Sequence, residues 1–317
     1  MLASTSKNSV KVHKNSWFAN GKLLLTGEFL VLDGAKALAV PLKFGQHFTV
    51  NNTQAKTLEW EAKSPEGTWV KAILRWPELE VLETTGKVHA DRLVLLLQKV
   101  IELSPVFIEK FQGARVETLL DFNPAFGFGS SSTLIYCLAT WAGIDPYKLQ
   151  QQSFGGSGFD IACADAKGPI TYQRFGEQVE IKNVDISSAI KNHLYFVYLG
   201  NKQQTFGSIQ KFRENAAYSS SDIQTITSIT NELVKTDSIG EFERLLAEHE
   251  KLMSRILKTP TVKSSCFSSY DGCVKSLGAW GGDFVLVTSH LPKQVFADQM
   301  KELGFPVSFS YHDLVLA

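Results

Sequence analysis

The chain has 317 residues, 44% of them hydrophobic and 20% charged, which excludes a disordered polymer and suits two ordinary domains or one large one. Lys plus Arg and Asp plus Glu number 32 each, so the overall balance lacks the basic excess of a nucleic-acid binder. The cysteines Cys137, Cys163, Cys266 and Cys273 form no CxxC pair and have no zinc spacing, and are expected to be buried free thiols of a reducing compartment.

In chain order, "MLASTSKNSVKVHKNSW" has no apolar core of signal-peptide length. "KLLLTG" and "FLVLD" predict short strands on either side of Gly27 and Glu28. "HFTVNN", "TLEWEAK" and "WVKAILRW" alternate as antiparallel strands do, with a turn at Gly67. From Lys87 to Leu103, residues Val88, Leu93, Leu96, Leu97, Val100 and Ile101 recur at helical spacing, and Ser104-Pro105 ends the run. Gln98, Lys99 and Glu102 interrupt its apolar character, so it is not a membrane span, and a cytoplasmic protein is expected. "ARVETLLDF" predicts a strand that leads into "NPAFGFGSSSTL". Beyond that loop, Leu134, Ile135, Leu138, Trp141 and Ala142 form an apolar helix face stopped by Gly143. Asp145-Pro146 opens another helix, with Asp as cap and Pro at the first position.

"GPITYQRF" and "QVEIKNV" predict a hairpin. A second block follows, with the strand "HLYFVYLG", two helical stretches through Lys258, the strand "DFVLVTS", and a final helix and strand. The rhythm places a boundary near residue 186, dividing the chain into units 1–185 and 186–317. No repeat or low-complexity linker is present.

The loop at Asn123 to Leu134 is bare of large side chains around two glycines and rich in hydroxyls. As a dinucleotide turn it fails, because Asn123 to Phe126 intervene after the strand and no acidic strand end follows. No Gly-Lys-Ser/Thr follows to make a Walker A loop. Glycines do let a polyphosphate approach the backbone, and helix-entry N–H groups favour an anion. The same residues also serve as a plain Gly-Ser helix cap, and the loop by itself leaves both readings open.

Four segments in order resemble the motifs of the GHMP kinases, the superfamily of galactokinase, homoserine kinase, mevalonate kinase and phosphomevalonate kinase. They are "ANGKLLLTGEFLVLDGAKALAVPL", "NPAFGFGSSST" (with Phe128 where the motif has Leu), "GGSGFDIACA", and "LGAWGGDFVLV" (with Trp280 in place of a small residue). They run through nearly the whole chain. The resemblance implies an α+β fold with a ribosomal protein S5 domain 2-like N-terminal domain and a ferredoxin-like C-terminal domain. It also implies ATP, Mg²⁺ and a small-molecule acceptor as partners, no nucleic acid or membrane, and a monomer or homodimer.

By the same resemblance Asp160 is the base and Lys22 its cationic companion. Pro124, Gly127, Gly129, Ser130, Ser131 and Ser132 form the ATP loop, with Ser131 offering its hydroxyl to Mg²⁺. Glu28 stands near acceptor and metal, Thr205 on the acceptor side, and Gly278, Gly281 and Gly282 press against substrate and triphosphate.

Two departures stand out. Mevalonate kinase-like members carry a Glu upstream of the catalytic segment where this chain has Gln150, Gln151 and Gln152, and Asn20 stands where many have Pro. The "GKLLLTGEF" and "GGD" segments resemble the mevalonate-pathway kinases more than galactokinase. A phosphorylated acceptor asks for two or more converging cations, for which Lys71, Arg75, Lys87, Arg92, Arg174 and Lys202 are candidates. A sensor that binds ATP without turnover, or a homoserine- or sugar-type kinase, is the alternative reading.

Overall fold

The computed structural model describes residues 15–200, 209–210, 212–214, 216–278, 280 and 283–317. Strand β1 (Asn15–Thr26) runs antiparallel to the long β2 (Ala37–Thr53), pairing Trp17 with Phe48 and Leu23 with Val40. Between them "FLVLD" does not form the strand expected of it. Leu30–Asp33 is a 3₁₀ turn, entered through Phe29 at φ 59° and left through Gly34 at φ 94°. A short continuous apolar run fits a buried strand or a buried turn equally well, and here Gly27 bends the chain before a strand can extend.

The first sheet has the order β5 (Val81–Thr84), β4 (Gly67–Arg75), β3 (Thr57–Ser64), β6 (Gly113–Leu120), β2, β7 (Ile170–Phe175), β8 (Gln178–Asn183), with β1 also on β2. All pairs are antiparallel except β3 with β6. Helices α1 (Lys87–Leu103), α2 (Ser130–Ala142), α3 (Pro146–Ser153) and α4 (Phe159–Ala164) belong to the same half of the chain. The start of α2 is Ser-rich and intrinsically a weak helix former. What holds it is burial of Ile135, Leu138 and Trp141 among Leu93, Leu97, Phe48 and Trp60, each large apolar side chain contributing about 1.5–3 kcal/mol.

The second sheet has the order β10 (Val274–Ser276), β11 (Phe284–Thr288), β9 (Leu194–Tyr198), β12 (Ser308–Ser310), all antiparallel. Read from β12, this is the strand order of a ferredoxin-like unit. Its helices include α5 (Ser188–Lys191), α6 (Ser220–Leu233), α7 (Ile239–Leu257), α8 (Val262–Cys266), α9 (Lys293–Glu302) and α10 (Tyr311–Leu314). The three-residue β10 was not among the expected strands.

One core joins the two units, drawing Leu23, Val40 and Phe128 together with Phe196, Leu245 and Phe284. Thr26 Oγ1 and Thr230 Oγ1 share a hydrogen bond of 2.7 Å, and Leu316 N–H donates to Pro41 O at 3.0 Å. The cysteine expectation needs correction: Cys137 and Cys163 are buried, but Cys266 is exposed and Cys273 half-buried.

Candidate active site

After β6 the Asn123 carboxamide accepts from Ala125 N–H at 2.7 Å and opens a 3₁₀ turn, Pro124–Phe126. Gly127 (φ 68°) and Gly129 (φ 91°) then take left-handed conformations that a side chain would strain. Space is as tight as the backbone. A Cβ on Gly127 would overlap the Asp283 carboxylate, and one on Gly129 would lie 3.0 Å from Lys22 Cε and 2.8 Å from Ser132 Oγ. Phe128 between them is fully buried, stacked on Phe284 at 4.9 Å and edged by Phe122 and Phe126. The loop is thus pinned by one ring while its glycines stay bare.

Gly129 caps α2 without a side-chain hydrogen bond, so the N–H groups of Ser130 and Ser131 enter the helix with no side-chain cap. Ser131 is exposed and Ser130 half-buried. Ser132 departs from expectation. It is buried, and its hydroxyl donates to Gly129 O at 2.8 Å, so it braces the turn and is turned away from a phosphate role.

Lys22 reaches this loop from β1. Its backbone N–H donates to Phe128 O at 2.9 Å, its ammonium to Gly127 O at 3.1 Å, and the ammonium lies 5.8 Å from the Phe159 ring centre. Asp160 sits in the first turn of α4, beyond Gly158 at φ 94°. Lys22, expected as the cationic companion of Asp160, makes no ion pair with it: among the described residues, Asp160's partners are Gln150, whose Nε2 lies 2.9 and 3.1 Å from its two oxygens, and Ile161 N–H at 3.1 Å. The ammonium has a nearer acceptor in the loop carbonyl, while α3 delivers an amide to the carboxylate. Around Asp160, burial pushes the Tyr172 hydroxyl up to about 12 and raises the Tyr147 hydroxyl and the Cys163 thiol further still. A cavity of about 180 Å³ opens beside Gln150, bordered by Tyr147, Ser157, Tyr172 and Arg174.

Glu28 lies elsewhere than expected. Its carboxylate is 1% exposed, accepts from the Lys275 ammonium, and lies 3.2 Å from His249 Nε2. That burial does not suit a ligand of acceptor or Mg²⁺, and the assignment is revised to a link between the two units. Burial raises the Glu28 carboxyl to about 7 despite Lys275, and holds His249 well below its usual range. Gly278 is described, at φ 63°, but Thr205, Lys202, Gly281 and Gly282 lie outside the described residues.

Of the candidate cations, Lys71 pairs with Glu61 and Arg75 with Glu80, each at 3.1 Å, and Lys87 and Arg92 sit on α1. Arg174 borders the Gly155–Gly158 turn, donating to Gly156 O at 3.4 Å. Sequence reasoning overlooked Lys275, used Asp283 only as the last residue of "GGD", and noted Gln150 merely as the absence of a Glu.

Over nearly its whole length the chain has the fold of the GHMP kinases. Among solved structures it is similar to the mevalonate kinase of Methanococcus jannaschii, at 13% identity and TM-score 0.69 over 97% of this chain and 99% of that one. It is similar to the Streptococcus pneumoniae phosphomevalonate kinase solved with phosphomevalonate and AMPPNP, at 16% identity and TM-score 0.67 over 93% and 99%. It also resembles the Lactococcus lactis galactokinase solved with galactose, at 12% identity and TM-score 0.67 over 94% and 92%. No protein-family model matches the sequence, and no curated protein does either. No helix among the described residues is long and apolar enough to cross a membrane.

Proposed function

We propose that the chain is an ATP-dependent small-molecule kinase that transfers the γ-phosphoryl group to an alcohol or phosphate acceptor, with mevalonate or its phosphate as the preferred candidates. The observation that carries this reading is the convergence of Lys22 on the Gly127–Gly129 loop, whose glycines have no room for a Cβ and whose helix N-terminus has no side-chain cap. The triphosphate takes the loop N–H groups, and the Lys22 ammonium offsets developing charge. Asp160 accepts the acceptor's proton as its oxygen forms a bond to the γ-phosphorus and the bond to ADP breaks.

Among the described residues no group of three or more His, Cys, Asp or Glu is placed to hold a metal. Mg²⁺ needs no such cage, since it commonly keeps several waters and binds through substrate phosphates plus one or two protein oxygens. The exposed Ser131 hydroxyl fits that role, and the metal would neutralise phosphate charge there.

A non-catalytic ATP sensor on the same fold is the second reading, favoured by an amide at Gln150 where a carboxylate would strengthen metal binding. ADP formation from ATP-Mg²⁺, measured with mevalonate and phosphomevalonate side by side and repeated in Asp160→Asn, tests both. Turnover that falls ~10²–10⁴-fold in the variant with ATP affinity kept is expected of a lost general base. Saturable ATP binding without turnover on any acceptor replaces the kinase reading with the sensor.

A further inference from the structure

Gln150 is 5% exposed, and its amide nitrogen lies within hydrogen-bond reach of both oxygens of Asp160. Only the nitrogen end of a carboxamide is able to face an ionised carboxylate, because the oxygen end would set two acceptors against each other. The helix that carries Gln150 is itself fixed. Asp145 caps its start, accepting from Tyr147 N–H at 2.8 Å, and Gln150 O accepts from Phe154 and Gly155 N–H groups at its end. The amide therefore comes from a rigid element with its own backbone already satisfied.

We propose that Gln150 is a positioning residue for Asp160. It fixes the direction of the carboxylate through a neutral donor, without placing a second negative charge beside it. The proposal rests on the reading of Asp160 as the base. Its chemical content is that a carboxylate loses rotational freedom when a donor is aimed at both of its oxygens, so that its free lone pairs keep one direction.

Lys22 on β1 directs its ammonium at Gly127 O and so does not orient the Asp160 carboxylate. No other element supplies Asp160 with a side-chain hydrogen bond among the described residues.

The test uses the full chain and two variants. Gln150→Met keeps length and approximate volume but removes the donor, while Gln150→Glu puts a second carboxylate in its place. Two readouts are taken: kcat against the KM for ATP, and the thermal midpoint, which reports any loss of the fold. Gln150→Glu, which sets a second acceptor against the carboxylate, should lose kcat as Gln150→Met does. Gln150→Met should lose roughly 10–100-fold in kcat from misdirection of the base, with the KM for ATP unchanged.

A Gln150→Met protein with wild-type kcat, or one whose kcat and KM for ATP change together, overturns the proposal. An inactive Asp160→Asn beside an unaltered Gln150→Met overturns the positioning role alone. Wild-type turnover in Asp160→Asn overturns the base reading together with it.

Discussion

The Lys275 ammonium donates to the Glu28 carboxylate with both side chains closed to solvent, one from the strand β10 of the second sheet and one from the turn after β1 of the first. Removing one member of such a pair leaves the other buried without its counter-charge, which typically costs about 3–5 kcal/mol. Lys275→Met is expected to lose that much in urea unfolding, and Glu28→Gln on the same background to recover part of it. Additive losses in the double variant would mean the two groups are not coupled.

The same cluster gives stability two opposed dependences on pH. Unfolded Glu28 loses its proton near 4.5 while the folded residue keeps it to about 7, so its contribution is present below 4.5 and lost as pH rises through 7. Unfolded His249 takes a proton below 6.5 that the folded residue refuses, so its contribution is lost as pH falls. Glu28→Gln removes the first dependence and keeps the second. Its stability should therefore fall more steeply than wild type between pH 6.5 and 4.5, and denaturant titrations at several pH values measure this. Glu250, also raised by burial, is present in both proteins.

Gly129→Ala combines left-handed strain with a methyl group pressed on Lys22 Cε and Ser132 Oγ. The expected outcome is loss of ATP affinity by calorimetry with a native circular dichroism spectrum. Unchanged affinity would return the loop to the role of a helix cap.

Phe128→Ala should destabilise the fold by about 3–5 kcal/mol, the usual cost of emptying a buried phenyl site. Because that ring also anchors the loop, its thermal midpoint and ATP affinity should fall together, and Phe128→Leu should lose less of both.

Much of this was legible in the sequence where one local rule decides the outcome. The helical spacing from Lys87 to Leu103 matches α1, and Asp145-Pro146 opens α3 as capping chemistry requires. The strand Phe284–Thr288 follows from its run of apolar residues. "FLVLD" misled because periodicity does not separate a buried strand from a buried turn, and nothing local announces the positive φ of Phe29, whose ring stacks on Phe212. Lys275 read as one charge in "CVKSLG", since nothing local reveals that its counter-charge is Glu28, 247 positions away. Ser132 could not be told from Ser131 before the helix phase was known, yet that phase turns one hydroxyl inward and leaves the other exposed. Gln150 stood out in sequence for what it was not, and its bond to Asp160 depends on how α3 and α4 pack.

Lys22 is tied to the Gly-Ser loop twice, by its own N–H on Phe128 O and by its ammonium on Gly127 O. The distance between that cation and the bare glycines is therefore a dimension internal to the first unit, whatever angle the second unit takes. Asp283 touches Gly127 from the other side and belongs to the second unit. A hinge between the units would leave the lysine and its loop moving as one piece, and would have to part Phe128 from Phe284 as well as Asp283 from Gly127.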